Sequence, residues 1–145
     1  MTPLSRRSFA TFAATGLLVA ASPFARAQAP TAKNRALFQV TDNDPARWTM
    51  ILNNMQNLRD GVGGEGVEIE LVAYGPGVNM LKADSSVKER IAAALKGGIR
   101  VNACQNTMAN MKLTPADMQP DIGYVPSGVV EVMRKQQQGW AYIRS

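Results

Sequence analysis

No histidine occurs anywhere in the 145 residues, and cysteine occurs once, as Cys104. The first absence removes the commonest general base and the commonest metal ligand together. The second removes internal disulfides and multi-thiolate metal sites. Ser-His-Asp catalysis and zinc sites are therefore excluded by composition. Chemistry in this chain rests on one thiol, carboxylates, amides and backbone groups, or on a bound cofactor. No residue pattern specifies a cofactor or a metal.

A membrane-spanning run is also missing. The apolar stretch over residues 12–21 falls short of the roughly 20 residues a spanning helix needs, and Pro23 interrupts its end. Arg6-Arg7 precedes this stretch, and the small-residue exits Ala25-Arg26-Ala27 and Ala27-Gln28-Ala29 follow it. A basic start, a modest apolar core and a small-x-small exit describe a secretory signal. The paired arginines favour the twin-arginine route, which moves folded proteins. Residues 1–29 are thus expected to be a twin-arginine-type signal peptide, cleaved after Ala27 or Ala29. Residues 30–145 form the mature domain, periplasmic and without a stable membrane anchor.

Export changes the charge. The chain has 16 basic and 11 acidic residues, a formal +5. Arg6, Arg7 and Arg26 fall in the signal, leaving 13 basic against 11 acidic residues, or +2. No basic cluster remains for a nucleic-acid partner. The 46% hydrophobic content is that of a globular chain.

The mature residues alternate between strand and helix signals. Residues 36–40 read as a buried strand. Asp44 is placed to cap a helix with Pro45 at its first position. Trp48, Ile51, Leu52, Met55 and Leu58 recur at helical spacing, and Gly61 ends that helix. Val67, Ile69, Leu71 and Ala73 alternate as a second strand. Ser86 and Glu89 have the spacing of a capping box for a second helix, whose stripe is Val87, Ile91, Ala94 and Leu95. Gly97-Gly98 stops it. Residues 99–103 are a third strand, and Cys104 opens a short helix or turn. Thr114-Pro115-Ala116-Asp117 starts another helical turn. Residues 122–125 are a fourth strand. Ser127 caps a helix through Gln138 with Val129, Val130, Val132 and Met133 as its buried side, and residues 140–143 are the last strand. Units of roughly 30 residues with this alternation make βαβ crossovers. The expectation is one three-layer α/β domain with a mostly parallel sheet of about five strands, flavodoxin-like or Rossmann-like.

Gly61-Val62-Gly63-Gly64-Glu65-Gly66 matches the letters of a dinucleotide fingerprint. That motif needs a strand before it and a helix after it. Here the order is reversed, so the run is a helix-to-strand connection.

Ligands of open parallel sheets sit at the carboxyl ends of the strands, where strand order reverses. Three loops leave such ends: Gly75-Pro76-Gly77, Cys104-Gln105-Asn106-Thr107 and Pro126-Ser127-Gly128. Glycines permit close backbone approach. A thiolate at a helix start is favoured by nearby amides and accepts sulfur as a persulfide. The alternative for Cys104 is a small buried hydrophobe. The absence of a second cysteine or a histidine argues against a dithiol pair or a protease-like nucleophile. The methionines read mainly as core filler, with Met108 and Met111 near Cys104 leaving a minor cuprous-copper reading.

Gly75-Pro76-Gly77-Val78, then Val101-Asn102-Ala103-Cys104-Gln105-Asn106-Thr107-Met108, then Val125-Pro126-Ser127-Gly128-Val129-Val130-Glu131, then Gln138-Gly139-Trp140-Ala141-Tyr142-Ile143 together resemble the DsrE/DsrF-like family, and in particular its exported branch. The resemblance runs from about Arg35 to Arg144. It implies a small α/β domain with a mostly parallel sheet, assembled as a homo-oligomer, a trimer or hexamer. It also implies a relay of sulfane sulfur on a cysteine after a central strand, the place Cys104 holds. The expected function is a periplasmic sulfur carrier or sulfurtransferase-like protein with donor and acceptor proteins as partners. Cys104 is its reactive residue, and Gly75, Gly77, Asn106 and Ser127 are the candidate pocket wall. The rival expectation is a non-catalytic ligand-binding or assembly module with Cys104 buried.

Overall fold

The computed structural model describes residues 33–144, so the signal reading over residues 1–29 lies outside them. Apolar alternation builds the sheet. β1 (Asn34–Val40) turns Ala36, Phe38 and Val40 to one face and Leu37 to the other. β2 (Val67–Ala73) sends Ile69, Leu71 and Ala73 to the first face and Val72 to the second. β3 (Arg100–Cys104), β4 (Gly123–Val125) and β5 (Ala141–Arg144) complete it. The sheet has five strands, all parallel, in the order β4-β3-β2-β1-β5. β1 and β2 pair without a break from Asn34↔Val67 to Val40↔Ala73. The fold is the α/β class that the alternation predicts.

Chain direction sets the layers. From β1 to β4 each crossover moves one strand the same way, so right-handed connections put their helices on one face. Those helices are α1 (Pro45–Gly61), α2 (Lys88–Lys96) and α3 (Gln105–Asn110), joined by a 3-10 segment, Gly75–Leu81. Trp48, Met55, Leu81, Ile91 and Met108 pack with Phe38 and Leu71 in this larger core. The last crossover runs back past β3, β2 and β1. Its helix, α4 (Gly128–Gln137), lies on the other face, over Leu37, Val72, Val125 and Trp140.

Several local signals act as read. Asp44 Oδ1 accepts the Ala46 N–H at 2.9 Å, with Pro45 in the first helical turn. Thr114 and Asp117 cap each other's ends of the 3-10 turn Pro115–Asp117. The glycine run after α1 leads through a 3-10 turn, Gly64–Gly66, directly into β2. Gly77 is required by packing. A Cβ there would run into the Val40 carbonyl and the Thr41 nitrogen, so backbone rather than a flexible side chain would have to shift.

Two expectations are corrected. Ser86 does not cap α2. Val87 holds the N-cap position without a side-chain cap, and the buried Ser85 hydroxyl accepts the Val87 N–H at 3.4 Å. The helix starts one residue too late for Ser86 to reach it. In α4, Val129 is 59% and Met133 49% exposed, whereas Gly128 and Val132 face inward. The rotation brings Lys135 onto Glu70, a β2 carboxylate only 1% exposed, at 2.7 Å. Arg100 Nε at 3.1 Å and Asn102 Nδ2 at 3.0 Å complete the shell of Glu70.

Gly77→Ala is expected to destabilise the domain by roughly 1–3 kcal/mol, as overpacking does. Gly66→Ala, which would place its Cβ in open space, should change stability little. Denaturant titration of both variants measures the contrast.

Candidate functional site

β3 ends at Cys104, whose extended backbone (φ −75°, ψ 116°) makes it the N-cap of α3. Its face of the strand is the one carrying Arg100 and Asn102, since Val101 and Ala103 enter the larger core. The residue is buried, at 4% exposure. Sγ lies 4.0 Å from the Pro126 carbonyl oxygen. That oxygen also accepts the Asn106 N–H at 3.2 Å, which ties the loop after β3 to the loop after β4.

Burial pushes the Cys104 thiol up. Hydrogen bonds from the Thr107 hydroxyl, then from the backbone N–H groups of Gly128, Thr107 and Asn106, outweigh it and bring the thiol below its ordinary value of 9.0. No cationic partner is involved; the thiolate is held by neutral donors. Thr107 is itself oriented, because its Oγ1 accepts the Gly75 N–H at 3.0 Å. Beside the sulfur stands Tyr74. Burial pushes its phenol up, Tyr142 adds to that, Arg144 opposes it, and the Cys104 charge adds again. The α4 N-terminus rests on this ring: a Cβ on Gly128 would come within 2.7 Å of it.

The predicted site residues fall in different places. Gly75, at φ +55°, binds Thr107 and so acts on the sulfur at one remove. Asn106 brings its main-chain N–H to the site while its residue is exposed. Ser127 stands between Pro126 and Gly128, half-buried, at the N-cap of α4 but with no capping bond from its side chain. Gly77 is packed under the end of β1. Met108 lies in the larger core and Met111 is exposed beyond α3. Among the described residues, no three His, Cys, Asp or Glu side chains gather as a metal set. The sheet order reverses between β1 and β5, whereas Cys104 sits on β3, towards the opposite edge.

Thr107, Gly128 and Tyr74 were not read as site residues from the sequence. Thr107 had a signal: it is three residues after Cys104, where the first turn of a helix folds back on its N-cap. Gly128 lay in a strand-end loop already picked out, with no sign of which group there meets the sulfur, and Tyr74 comes beside Cys104 through the pairing of β2 with β3, which the sequence does not show.

The description "DsrE/DsrF-like family" matches residues 20–144. The chain belongs to the DsrE/DsrF-like family. Its match begins at residue 20, inside the stretch read as a signal peptide. The structure of the protein of unknown function MTH1491 from Methanobacterium thermoautotrophicum is similar at 34% identity and a TM-score of 0.74, over 77% of this chain and 99% of that one. BT1422 from Bacteroides thetaiotaomicron, also of unknown function, shares the fold at 17% identity and a TM-score of 0.66, over 81% and 99% of the two chains. The ychN protein from E. coli shares it at 8% identity and 0.59, over 78% and 99%. No curated protein matches the chain.

Thr107→Val keeps the branched shape and removes the hydroxyl. It should raise the thiol ionisation midpoint towards 9.0, read as thiolate absorbance near 240 nm against Cys104→Ser. The same lowering links stability to pH. The folded value lies below the unfolded one, so the contribution is complete above about pH 9 and is lost as pH falls through the folded value. The stability gap between wild type and Cys104→Ser should therefore widen as pH rises towards 9.0. A gap independent of pH would refute it.

Proposed function

We propose that this DsrE/DsrF-like domain carries sulfane sulfur as a persulfide on Cys104, as an exported, periplasmic homo-oligomer that exchanges sulfur with donor and acceptor partners. The observation that carries the reading is the place of the chain's single cysteine, at the end of β3 where the loops after β3 and β4 are tied together, with neighbouring hydroxyl and amide donors bringing its thiol below the ordinary value. Membership of a family associated with sulfur relay supports it.

The chemistry balances without a cofactor. The Cys104 thiolate attacks the outer sulfur of a donor persulfide, R–S–S–H. A new S–S bond forms on Cys104, the donor S–S bond breaks, and R–S⁻ leaves with the electron pair. The sulfane sulfur is exchanged between thiols with no net oxidation. A single thiol suffices for this, and a cysteine without an internal partner is not lost to an internal disulfide. Gly75 serves by orienting Thr107, and Asn106 by its amide. Ser127 shapes the loop that presents Pro126 and Gly128.

One observation favours a second reading. Cys104 is only 4% exposed. A covered thiol suits a binding or assembly module in which the cysteine is packing.

Intact mass after incubation with polysulfide, with and without reductant, separates the two. The expected result is a reducible gain of one or more sulfur atoms that is absent in Cys104→Ser. No gain, with a thiol that reacts only after unfolding, would mean that the cysteine is packing.

A further inference from the structure

At the outer edge of β4, main-chain groups and an apolar groove stand open side by side. β4 has β3 on one side and no strand on the other. The register fixes which of its residues turn inward. Tyr124 pairs with Ala103, and two residues further on the Pro126 carbonyl accepts the Asn106 N–H. Along a strand, successive residues turn their N–H and C=O to alternate sides. Tyr124 and Pro126 therefore face β3. Gly123 and Val125 turn theirs outward, where no described residue pairs with them. Such an edge is a template for another strand. Beside it, on the α3 face, lies a groove of about 220 Å³ lined by Gln105, Met108, Ala109, Leu113, Pro115 and Tyr124.

We infer that this edge is the interface with a second copy of the chain, paired antiparallel about a two-fold axis at Tyr124. The occupant follows from the pattern of open groups, which sit symmetrically on either side of Tyr124. Turned about that axis, Gly123 of one copy stands opposite Val125 of the other, and each such pair exchanges both of its bonds. The same surface then serves both copies, as a two-fold contact demands. Tyr124 falls opposite its own copy in the closer, non-bonded kind of pair, with Cα atoms about 4.5 Å apart and both rings on the α3 face. β4 has only three residues, so the rings and the two adjoining grooves must supply the apolar contact. None of the six lining residues carries a charge, so two copies meet there without like-charge repulsion. Val129 and Met133, exposed on α4, offer side chains but no open main-chain groups. The pairing also keeps the thiols apart. Cys104 stands beside Val125 on β3, so the two β3 strands lie three strand spacings from each other, about 14 Å, which is beyond disulfide reach. This interface belongs to the proposed homo-oligomer and rests on that part of the reading alone.

The test is the mass of the full chain in solution by sedimentation velocity, joined to hydrogen exchange at the Gly123 and Val125 amides. Wild type should form an even-numbered assembly with both amides protected. Ala109→Glu sets a carboxylate in each groove from an exposed helix position, away from the core. It should weaken association about ten-fold or more, because like charges are brought together across the axis, and both amides should lose protection. Val129→Lys, on the outer face of α4, should change neither reading. A monomer, an assembly with an odd number of copies, or amides whose protection is indifferent to Ala109→Glu overturns the inference. So does dissociation by Val129→Lys, which would move the interface to α4. Failure of wild type to load sulfur would instead count against the carrier reading and leave this result standing.

Discussion

A carboxylate buried on the central strand must find its countercharge inside the protein. Glu70 sits on β2, third of the five strands, and is almost wholly removed from water. Removing one partner of such a buried pair costs roughly 3–5 kcal/mol, since the other charge is left stranded. Two cations answer it from different directions, Arg100 from the neighbouring strand and Lys135 from the helix above. The second is the one that shapes the fold. Lys135 reaches Glu70 only if α4 turns that side to the sheet, and this turn puts Val132 inward and Val129 and Met133 outward. The same cations stack on Trp140, with Lys135 4.5 Å and Arg100 5.1 Å from the ring centre, joined by Arg35 at 5.8 Å. The smaller core thus sets aliphatic residues beside Trp140 and a buried charge cluster, unlike the apolar core on the opposite face.

That difference explains what could be read from the sequence. Strands β1 and β2 were legible because alternation reports burial directly, and α1 because its apolar stripe and its Asp44-Pro45 start agree. These are local signals whose cause lies within a few residues. The α4 face was misread because Val129, Val130, Val132 and Met133 offer an apolar stripe that hydrophobic burial alone would choose. The contact that overrules it joins Lys135 to a residue on another strand, far away in the chain. Ser86 failed for a smaller reason: a cap depends on the exact first residue of a helix, the least legible feature of any element.

The site divides along the same line. Cys104 at the end of a strand and the start of a short helix was legible, and with it the amide of Asn106. The convergence of three strand-end loops also follows from a parallel sheet. What was not legible is which groups in those loops face the sulfur. The glycine-rich loop after β2 acts through Gly75 on Thr107, while Gly77 serves the close approach of Val40. The loop after β4 acts through its backbone, the Pro126 carbonyl and the Gly128 amide, and a sequence gives no sign of where a main-chain group points. Strand order was hidden as well. The reversal lies between β1 and β5, while α3 and α4, which follow the adjacent strands β3 and β4, lie on opposite faces of the sheet.

Under the sulfur-carrier proposal, the donors around the thiol have unequal effects on the two halves of a relay. Donors that lower the thiol's pKa enlarge the thiolate fraction at neutral pH, but each one also takes nucleophilicity from the sulfur it holds. In thiol exchange a lower pKa costs the attacking thiol part of its rate, with a Brønsted coefficient of about 0.4–0.5, whereas a leaving thiol gains from it. Loading needs Cys104 as the attacking group. Delivery needs it as the leaving group, when an acceptor thiolate takes the outer sulfur and Cys104 departs as thiolate. The Thr107 hydroxyl stabilises that departing charge without moving, because Thr107 is already fixed by Gly75. The outer sulfur of a persulfide stands about 2 Å beyond Sγ, one S–S bond outward. The atom being transferred is therefore farther from these donors than the one left behind. Delivery therefore needs only the outer sulfur to meet the acceptor, whereas loading needs the buried Cys104 itself to meet the donor.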